Sequence, residues 1–82
     1  MNVLLTTEAQ EQFSELPLTI KERVREIFER LADWPNVSGA KPLRGKLAGQ
    51  YRIRTGDWRI VFRVVRPNVI VVTIAHRSKV YE

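Results

Sequence analysis

The sequence predicts an α+β fold of two layers, with an N-terminal strand, a two-helix hairpin and then an antiparallel sheet of three or more strands. Two observations predict it. Apolar residues recur at helical spacing before residue 34, and they alternate with charged residues from residue 51 onward. A chain of 82 residues without cysteine has room for one domain and cannot form disulfides. We therefore expect a single domain over residues 1–82.

The first strand and helix are predicted from a short apolar run and a capping pattern. Residues 2–6 are mostly apolar and favour a strand. Thr7 is expected to be the N-cap of the first helix, with Gln10 as its capping-box partner. The helix should span residues 8–16, because Pro17 lacks a backbone donor and ends or kinks a helix.

The second helix has a stronger pattern. Thr19 and Glu22 match another capping box at its start, and Pro35 disfavours a continuation. We expect this helix over residues 20–33, with one apolar side: Ile20, Val24, Ile27, Phe28 and Leu31. Residues 35–49 then read as a loop or short irregular strand, from which three basic side chains project: Lys41, Arg44 and Lys46.

Three consecutive strands are predicted in the second half of the chain, over residues 51–55, 58–65 and 69–75. Gly56-Asp57 suits a two-residue hairpin loop, which places Arg54 directly opposite Arg59. Directly opposite residues share a face, so the core face should carry Tyr51, Ile53, Trp58, Ile60 and Phe62. The other face, which we call the arginine face, carries Arg52, Arg54, Arg59 and Arg63.

The third strand has two registers to choose from. A two-residue turn at Pro67-Asn68 would put its larger alternate side chains on the arginine face, and a three-residue turn over residues 66–68 would bury them. We prefer the second, because it buries more apolar surface. The residues then expected in the core are Ile70, Val72 and Ile74. Those expected on the arginine face are Val71, Thr73, Ala75 and, if the strand continues, Arg77.

Charge is divided unevenly along the chain. Residues 1–34 hold seven acids and four bases, a net of −3, and residues 35–82 hold ten bases and two acids, a net of +8. Seven of those ten bases are arginines, whose guanidinium groups fork onto phosphate oxygens. Like charges directly opposite destabilise a sheet, so Arg54 across from Arg59 indicates a polyanion or an acidic partner on this face.

Several classes of protein are disfavoured. The longest apolar run, residues 69–75, is far shorter than the ~20 residues needed to cross a bilayer. The N-terminus shows no basic stretch and cleavage site typical of a signal peptide. Without cysteine, a zinc ribbon is excluded. We expect a cytoplasmic protein that uses no membrane, metal or cofactor.

Three stretches of the sequence carry a family resemblance. They are KPLRG at residues 41–45, YRIRTGDWRIVFRV at residues 51–64 and HRSKVY at residues 76–81. Together they resemble the RelE/ParE superfamily of toxins from type II toxin–antitoxin systems, in particular the RelE-like branch. The resemblance implies a ribosome-dependent endoribonuclease that cleaves mRNA in the A site, by metal-independent attack of a ribose 2′-hydroxyl on the adjacent phosphate. The implied partners are a cognate antitoxin protein, mRNA and the ribosome with its 16S rRNA.

The resemblance also implies roles for individual residues. Arg52 and Arg54 match basic strand residues that bind phosphate, and Arg59 matches an arginine that stabilises charge on the phosphorane. Arg77 matches a basic residue near the leaving 5′-oxygen, and Tyr81 matches a tyrosine that orients a base. Such roles suit guanidinium groups, because charge builds on the nonbridging oxygens of that transition state. Five further residues are expected to contact RNA: Lys41, Arg44, Lys46, Arg63 and Lys79.

The general base is left open. Some family members have Lys at the positions of Arg52 and Arg54, whereas an arginine effectively cannot lose its proton. His76 is a candidate catalytic residue, because histidine titrates near neutral pH. Strand alternation puts it on the opposite face from Arg77, however, unless the strand ends or bulges between them. The other candidates are Tyr81, Asp57 and Glu82.

Two other functions suit the same fold. A ParE-like DNA gyrase inhibitor would bind its target protein without nuclease chemistry, and an inactive relative would bind only an antitoxin or nucleic acid. Fold alone does not separate these functions. The nuclease needs a set of residues that the gyrase inhibitor does not need: Arg52, Arg54, Arg59, Arg77 and Tyr81.

Overall fold

The computed structural model of the chain describes residues 1–79, in which two helices cover one face of a five-stranded sheet. The elements are β1 (Asn2–Leu5), α1 (Thr7–Ser14), α2 (Leu18–Leu31), β2 (Lys41–Pro42), β3 (Gln50–Thr55), β4 (Trp58–Val65) and β5 (Asn68–His76). The sheet order is β1-β5-β4-β3-β2, with β1 parallel to β5 and the other neighbours antiparallel. The predicted α+β fold is confirmed.

Helix α1 begins one residue earlier than predicted. Thr6, not Thr7, is the N-cap residue, and its Oγ1 accepts a hydrogen bond from the Ala9 backbone N–H at 3.1 Å. Thr6 keeps an extended backbone, which an N-cap requires, whereas Thr7 is already helical. Gln10 does not complete the predicted capping box, since its Nε2 donates to the Leu5 carbonyl at 3.1 Å.

Helix α2 begins at Leu18, two residues before the predicted start. Its N-cap residue is Pro17, which has no side-chain donor or acceptor, and the Pro17 carbonyl accepts the Ile20 N–H at 3.0 Å. Thr19 and Glu22 lie inside the helix, so the predicted capping box is wrong. No helix within residues 1–79 is long and apolar enough to cross a membrane.

The core lies between the helices and the predicted core face of the sheet. Ile53, Ile60 and Phe62 are at most 2% exposed, and Tyr51 and Trp58 pack against them. The helices contribute four buried residues to the same cluster, and Leu16 joins it from the turn between them: the four are Ala9, Val24, Ile27 and Leu31. The composition of the core face is therefore as the alternation predicts.

The hairpin of β3 and β4 has the predicted register. Thr55 pairs with Trp58 across the loop Gly56-Asp57. Gly56 has φ +58°, a conformation that glycine adopts without steric cost. A two-residue loop with glycine at its first position fixes which residues of β3 and β4 pair along the whole hairpin.

Strand β5 departs from both of the predicted registers. Its turn from β4 is the two-residue loop Arg66-Pro67, since Val65 pairs with Asn68. Farther along, a β-bulge at Val72 inserts one extra residue of β5 into its ladder with β4. Side chains of a strand alternate between the two faces of the sheet. One extra residue therefore reverses which face each residue of β5 occupies on one side of the bulge relative to the other.

The bulge makes the preferred prediction right for one half of β5 and wrong for the other. The assignments on its C-terminal side are confirmed for Thr73, Ile74 and Ala75. On its N-terminal side Val71 is fully buried, and Ile70 pairs with Arg63 on the outer side, which is the reverse of the prediction. Val72, expected in the core, is the half-buried extra residue itself.

Candidate nucleic-acid interface

The arginine face is built from the outward residues of β3 and β4. Arg54 lies directly opposite Arg59, and two residues along the ladder Arg52 lies opposite Val61. Lys41 of β2 pairs with Arg52 and shares its face. Arg63 follows Val61 by two residues on the same side of β4. The strands thus bring together four guanidinium groups and one ammonium group, from residues 41 to 63.

The arginine face is only partly open to water. Arg54 is exposed, Arg52 and Arg59 are half-buried, and Nη1 of Arg52 is shielded from solvent. Val61 lies on this face between Arg52 and Thr73, and it is only 5% exposed. A guanidinium group in a partly dry setting attracts an anion more strongly than one in bulk water. The arrangement can therefore hold phosphate charge.

Arg77 lies at the hairpin end of the sheet and not on a continued strand. Strand β5 ends at His76, and Arg77–Lys79 form a 3-10 turn, so the condition for Arg77 to extend the strand face is not met. The Arg77 backbone N–H donates to the Asp57 carbonyl at 2.7 Å, and Arg77 Nε lies 3.7 Å from Asp57 Oδ1. An acid thus accompanies one predicted member of the site. Two C-terminal candidates lie outside the described residues: Tyr81 and Glu82.

His76 lies on the side of the sheet away from the arginine face. It pairs with Trp58, and the two rings meet edge-on with 5.4 Å between centroids. Its Nδ1 accepts the Ser78 backbone N–H at 3.3 Å and lies 3.0 Å from Ser78 Oγ. Because a backbone N–H can only donate, the neutral ring carries its proton on Nε2. The described residues thus place His76 apart from Arg54 and Arg59.

The remaining basic residues expected to contact RNA fall into two places. Arg44 and Lys46 are exposed at a 3-10 turn, Gly45–Leu47, in the loop that joins β2 to β3. Lys79 is also exposed, but it lines a cleft of about 480 Å³ together with His76 and residues of α1. Arg44 and Lys46 therefore sit on a loop that adjoins the strands of the arginine face, whereas Lys79 does not lie on that face.

One basic residue that lies beside the arginine face was not identified from the sequence. Arg30 projects from α2, and its Nη2 donates to the Ser38 carbonyl at 2.6 Å and lies 3.5 Å from Ser38 Oγ. Arg30 and Ser38 line a recess together with Lys41, Arg52 and Arg54. Helical spacing identifies Arg30 only as an outward residue, and no sequence signal shows that the loop after α2 returns to it.

Comparison with known protein families gives a match over nearly the whole chain. A sequence profile of the family described as "ParE toxin of type II toxin-antitoxin system, parDE" matches residues 3–81. Toxin RelG of Mycobacterium tuberculosis is 34% identical to the chain over 82 residues, covering 96% of this chain and 93% of RelG. The likeness therefore includes the helices as well as the strands of the arginine face.

Solved structures share the architecture. The toxin–antitoxin complex RelBE2 from Mycobacterium tuberculosis matches with a TM-score of 0.81 and 32% identity, covering 93% of this chain and 96% of that one. The isolated E. coli RelE toxin matches with a TM-score of 0.77 and 19% identity, covering 92% of this chain and 82% of that one. The second match, at low identity, concerns the fold alone.

Proposed function

The chain belongs to the family of ParE toxins of type II toxin–antitoxin systems, and we propose that it acts by cutting mRNA in the ribosomal A site. It is a toxin of the RelE/ParE superfamily with a RelE-like fold. The single observation that carries the proposed chemistry is the register of β3 and β4, which sets Arg54 directly opposite Arg59. A phosphate between them would turn mutual repulsion into charge-assisted hydrogen bonds.

The proposed reaction is attack of a ribose 2′-oxygen on the adjacent phosphorus. The bond from phosphorus to the 5′-oxygen of the next nucleotide breaks, the 2′-hydroxyl releases its proton to water, and the 5′-oxygen takes up one proton from water. The products are a 2′,3′-cyclic phosphate and a 5′-hydroxyl. Negative charge builds on the two nonbridging oxygens, and Arg59 is proposed to stabilise it while Arg52 and Arg54 hold the phosphate. The partial burial of Arg52 and Arg59 supports this assignment, because preorganised donors act best where little water competes.

Arg77 and Tyr81 are proposed to complete the site. Arg77 would neutralise charge on the leaving 5′-oxygen, and Tyr81 would orient a base next to the scissile phosphate. The hydrogen bond from the Arg77 N–H to the Asp57 carbonyl supports the role of Arg77, because it ties the residue to the hairpin end that also carries Arg54 and Arg59. Arg77 would exchange its exposed contact with Asp57 for the phosphate.

The strand arginines are proposed to act by charge and not as bases, since arginine keeps its proton. His76 is a poor candidate for the base, because it lies on the other side of the sheet and its Nδ1 already accepts the Ser78 N–H. We infer that the reaction depends on how the ribosome bends and orients the message. Such positioning can supply a large part of a rate enhancement without a further protein side chain.

The proposed partner outside the ribosome is a cognate antitoxin protein. RelBE2, the similar structure at 32% identity, is a toxin–antitoxin complex. A net charge of +8 on residues 35–82 favours an antitoxin segment that is acidic or amphipathic and folds as it covers the arginine face. Toxin and antitoxin are proposed to meet in the cytoplasm, where the ribosomes are.

The test is to induce the chain in growing cells and to map the 5′ ends of mRNA. We expect new 5′-hydroxyl ends at A-site codons, and we expect Arg59→Ala to lower the cleavage rate on purified ribosomes by roughly 10²–10³-fold, the usual effect of losing one transition-state donor. Arg66→Ala is the matched control. It removes the same charge from the exposed turn between β4 and β5 and should cleave like the wild type.

A gyrase inhibitor is the second candidate, since the matching family profile is named for ParE. DNA supercoiling is therefore measured in the same cells. Loss of negative supercoiling without new mRNA ends would replace the nuclease by the gyrase inhibitor. A fully active Arg59→Ala variant would leave cleavage in place and remove the role proposed for Arg59.

A further inference from the structure

A small recess lies where the arginine face meets the edge of the sheet. Its volume is about 200 Å³, and its charged lining comes from α2, β2 and β3. Four of the seven lining residues are basic and none is acidic: Arg30, Lys41, Arg52 and Arg54, with Ser38, Gly39 and Ile53. Drug-sized ligands fill pockets of roughly 300–1,000 Å³, so this recess suits a single chemical group.

The recess exists because β2 is short. Its two residues pair with Tyr51 and Arg52, and Gly39, two residues before β2, has φ +87° and lines the recess beside Ile53. The edge of β3 at Arg54 is therefore not covered by β2. Backbone groups of an antiparallel edge point outward at every second residue. A side chain larger than hydrogen is strained at that φ, which makes Gly39 part of how the recess is formed.

Arg30 is held in a defined position at the rim of the recess. Its Nη2 makes the 2.6 Å bond to the Ser38 carbonyl, and the same nitrogen lies closest to Ser38 Oγ. A guanidinium group has five N–H hydrogens, and these contacts involve neither Nε nor Nη1. Anchoring by the backbone lowers the entropy that the long side chain would otherwise lose on binding a ligand.

We propose that this recess binds a backbone phosphate of the RNA strand, next to the phosphate that is cleaved. The inference rests on the proposed nuclease function and adds Arg30 to its substrate contacts. Arg52 and Arg54 belong both to the recess and to the arginine face, so an RNA backbone that leaves the face passes directly into it. Neighbouring phosphates on one strand would then be held by one continuous set of guanidinium groups.

A phosphate fits the lining better than a carboxylate of an acidic peptide. Guanidinium groups approach from two sides, Arg30 from the helix and Arg54 from the strand. A tetrahedral phosphate offers oxygens in several directions, whereas a carboxylate offers two oxygens in one plane.

The experiment measures binding without cleavage. A short 2′-O-methylated RNA lacks the attacking hydroxyl, and its affinity for the full chain is measured by fluorescence anisotropy at several salt concentrations. We expect Arg30→Ala to weaken binding roughly tenfold. We also expect it to lower the slope of log K against log salt by about 0.7, the value for one phosphate contact on a single strand. Arg30→Lys should keep most of the slope, because it keeps the charge.

Arg66→Ala again serves as the control for loss of one positive charge, and it should keep the wild-type slope.

A second measurement locates the ligand: titration with the same RNA should shift the amide resonances of Gly39 and Arg54. An Arg30→Ala variant that matches Arg66→Ala in affinity and slope would overturn the proposal. So would amide shifts at Gly39 that a glutamate-rich peptide produces and the RNA does not. Absence of mRNA cleavage by the wild-type chain would instead overturn the proposed nuclease, which the anisotropy measurement does not depend on.

Discussion

The core face and the arginine face are two sides of the same strands, and they are stabilised in opposite ways. On the core face of β3 and β4, Ile53, Ile60 and Phe62 are buried under the two helices. On the other side, Arg54 and Arg59 stand directly opposite each other. Burial of apolar side chains on the core face stabilises the folded chain. The arginine face places two like charges directly opposite each other, which costs free energy and favours the binding of an anion.

This difference separates the residues that stabilise the fold from the residues that we expect to carry the function. A substitution on the core face should lower the free energy of unfolding, and activity should fall only because the fold is lost. A substitution on the arginine face should leave the fold intact or strengthen it and still remove activity. Trade-offs of this kind are typical of sites whose charges are arranged for a ligand.

The largest effect is expected from Phe62→Ala. The Phe62 ring is fully buried, stacks on Tyr51 at 5.6 Å between centroids and meets Trp34 edge-on at 5.4 Å. Removing it leaves a cavity in a small core, and the free energy of unfolding should fall by roughly 3–5 kcal/mol. Urea denaturation followed by tryptophan fluorescence measures the change.

Val65→Ala is the matched control on the opposite face of the same strand. Val65 is 49% exposed, so its truncation should alter the free energy of unfolding by less than about 0.5 kcal/mol. If both variants lost stability equally, the outer face would be packed in solution and the contrast between the two faces would be mistaken.

A smaller and opposite effect is expected from Arg54→Glu. The change turns the pair with Arg59 into one of opposite charge, which should raise the free energy of unfolding by roughly 0.2–1 kcal/mol. Cleavage of ribosome-bound mRNA should be lost in the same variant, because a carboxylate repels phosphate. Urea denaturation at low and high salt checks the origin of the gain, which salt should screen.

Arg63→Glu separates the effect of the pair from the effect of net charge. Arg63 lies on the same face of β4, but its cross-strand partners are Gln50 and Ile70, which carry no charge. It lowers the net charge by the same amount and should raise stability less. Equal gains in Arg54→Glu and Arg63→Glu would trace the repulsion to the whole basic half of the chain and not to the pair.

The sequence was sufficient for those features that depend on alternation and on one turn. Gly56-Asp57 determined the β3–β4 register, and the register determined which residues share a face with Arg59. The alternation also separated buried Phe62 from exposed Arg63. These features are local, since a two-residue loop and a period of two leave one arrangement for the neighbouring residues.

The sequence was insufficient where a distant segment decides the outcome. The local sequence of the apolar run 69–75 does not determine which residue forms the bulge. The bulge lies at Val72, close to a contact between α1 and β5. The Gln12 side chain accepts the Ile74 backbone N–H at 2.7 Å. A bulge disrupts ladder hydrogen bonds, and a helix side chain 62 positions away can satisfy the strand there. The contact of Arg30 with Ser38 depends in the same way on how a loop returns to a helix.

The smallest expected effect on stability concerns Asp57, the one acid in contact with a predicted site residue among residues 1–79. Its pair with Arg77 is 3.7 Å long and mostly exposed, at 68% for Arg77 and 62% for Asp57. Pairs of this kind contribute little, so Asp57→Asn should change the free energy of unfolding by no more than about 0.5 kcal/mol. Cleavage should stay the same or rise slightly at low salt, because Arg77 is released for the RNA. Glu8→Gln removes the same charge from α1 and should leave cleavage unchanged. If Asp57→Asn abolished cleavage while the protein stayed folded, Asp57 would take part in the reaction, and the arginine face would act together with a carboxylate.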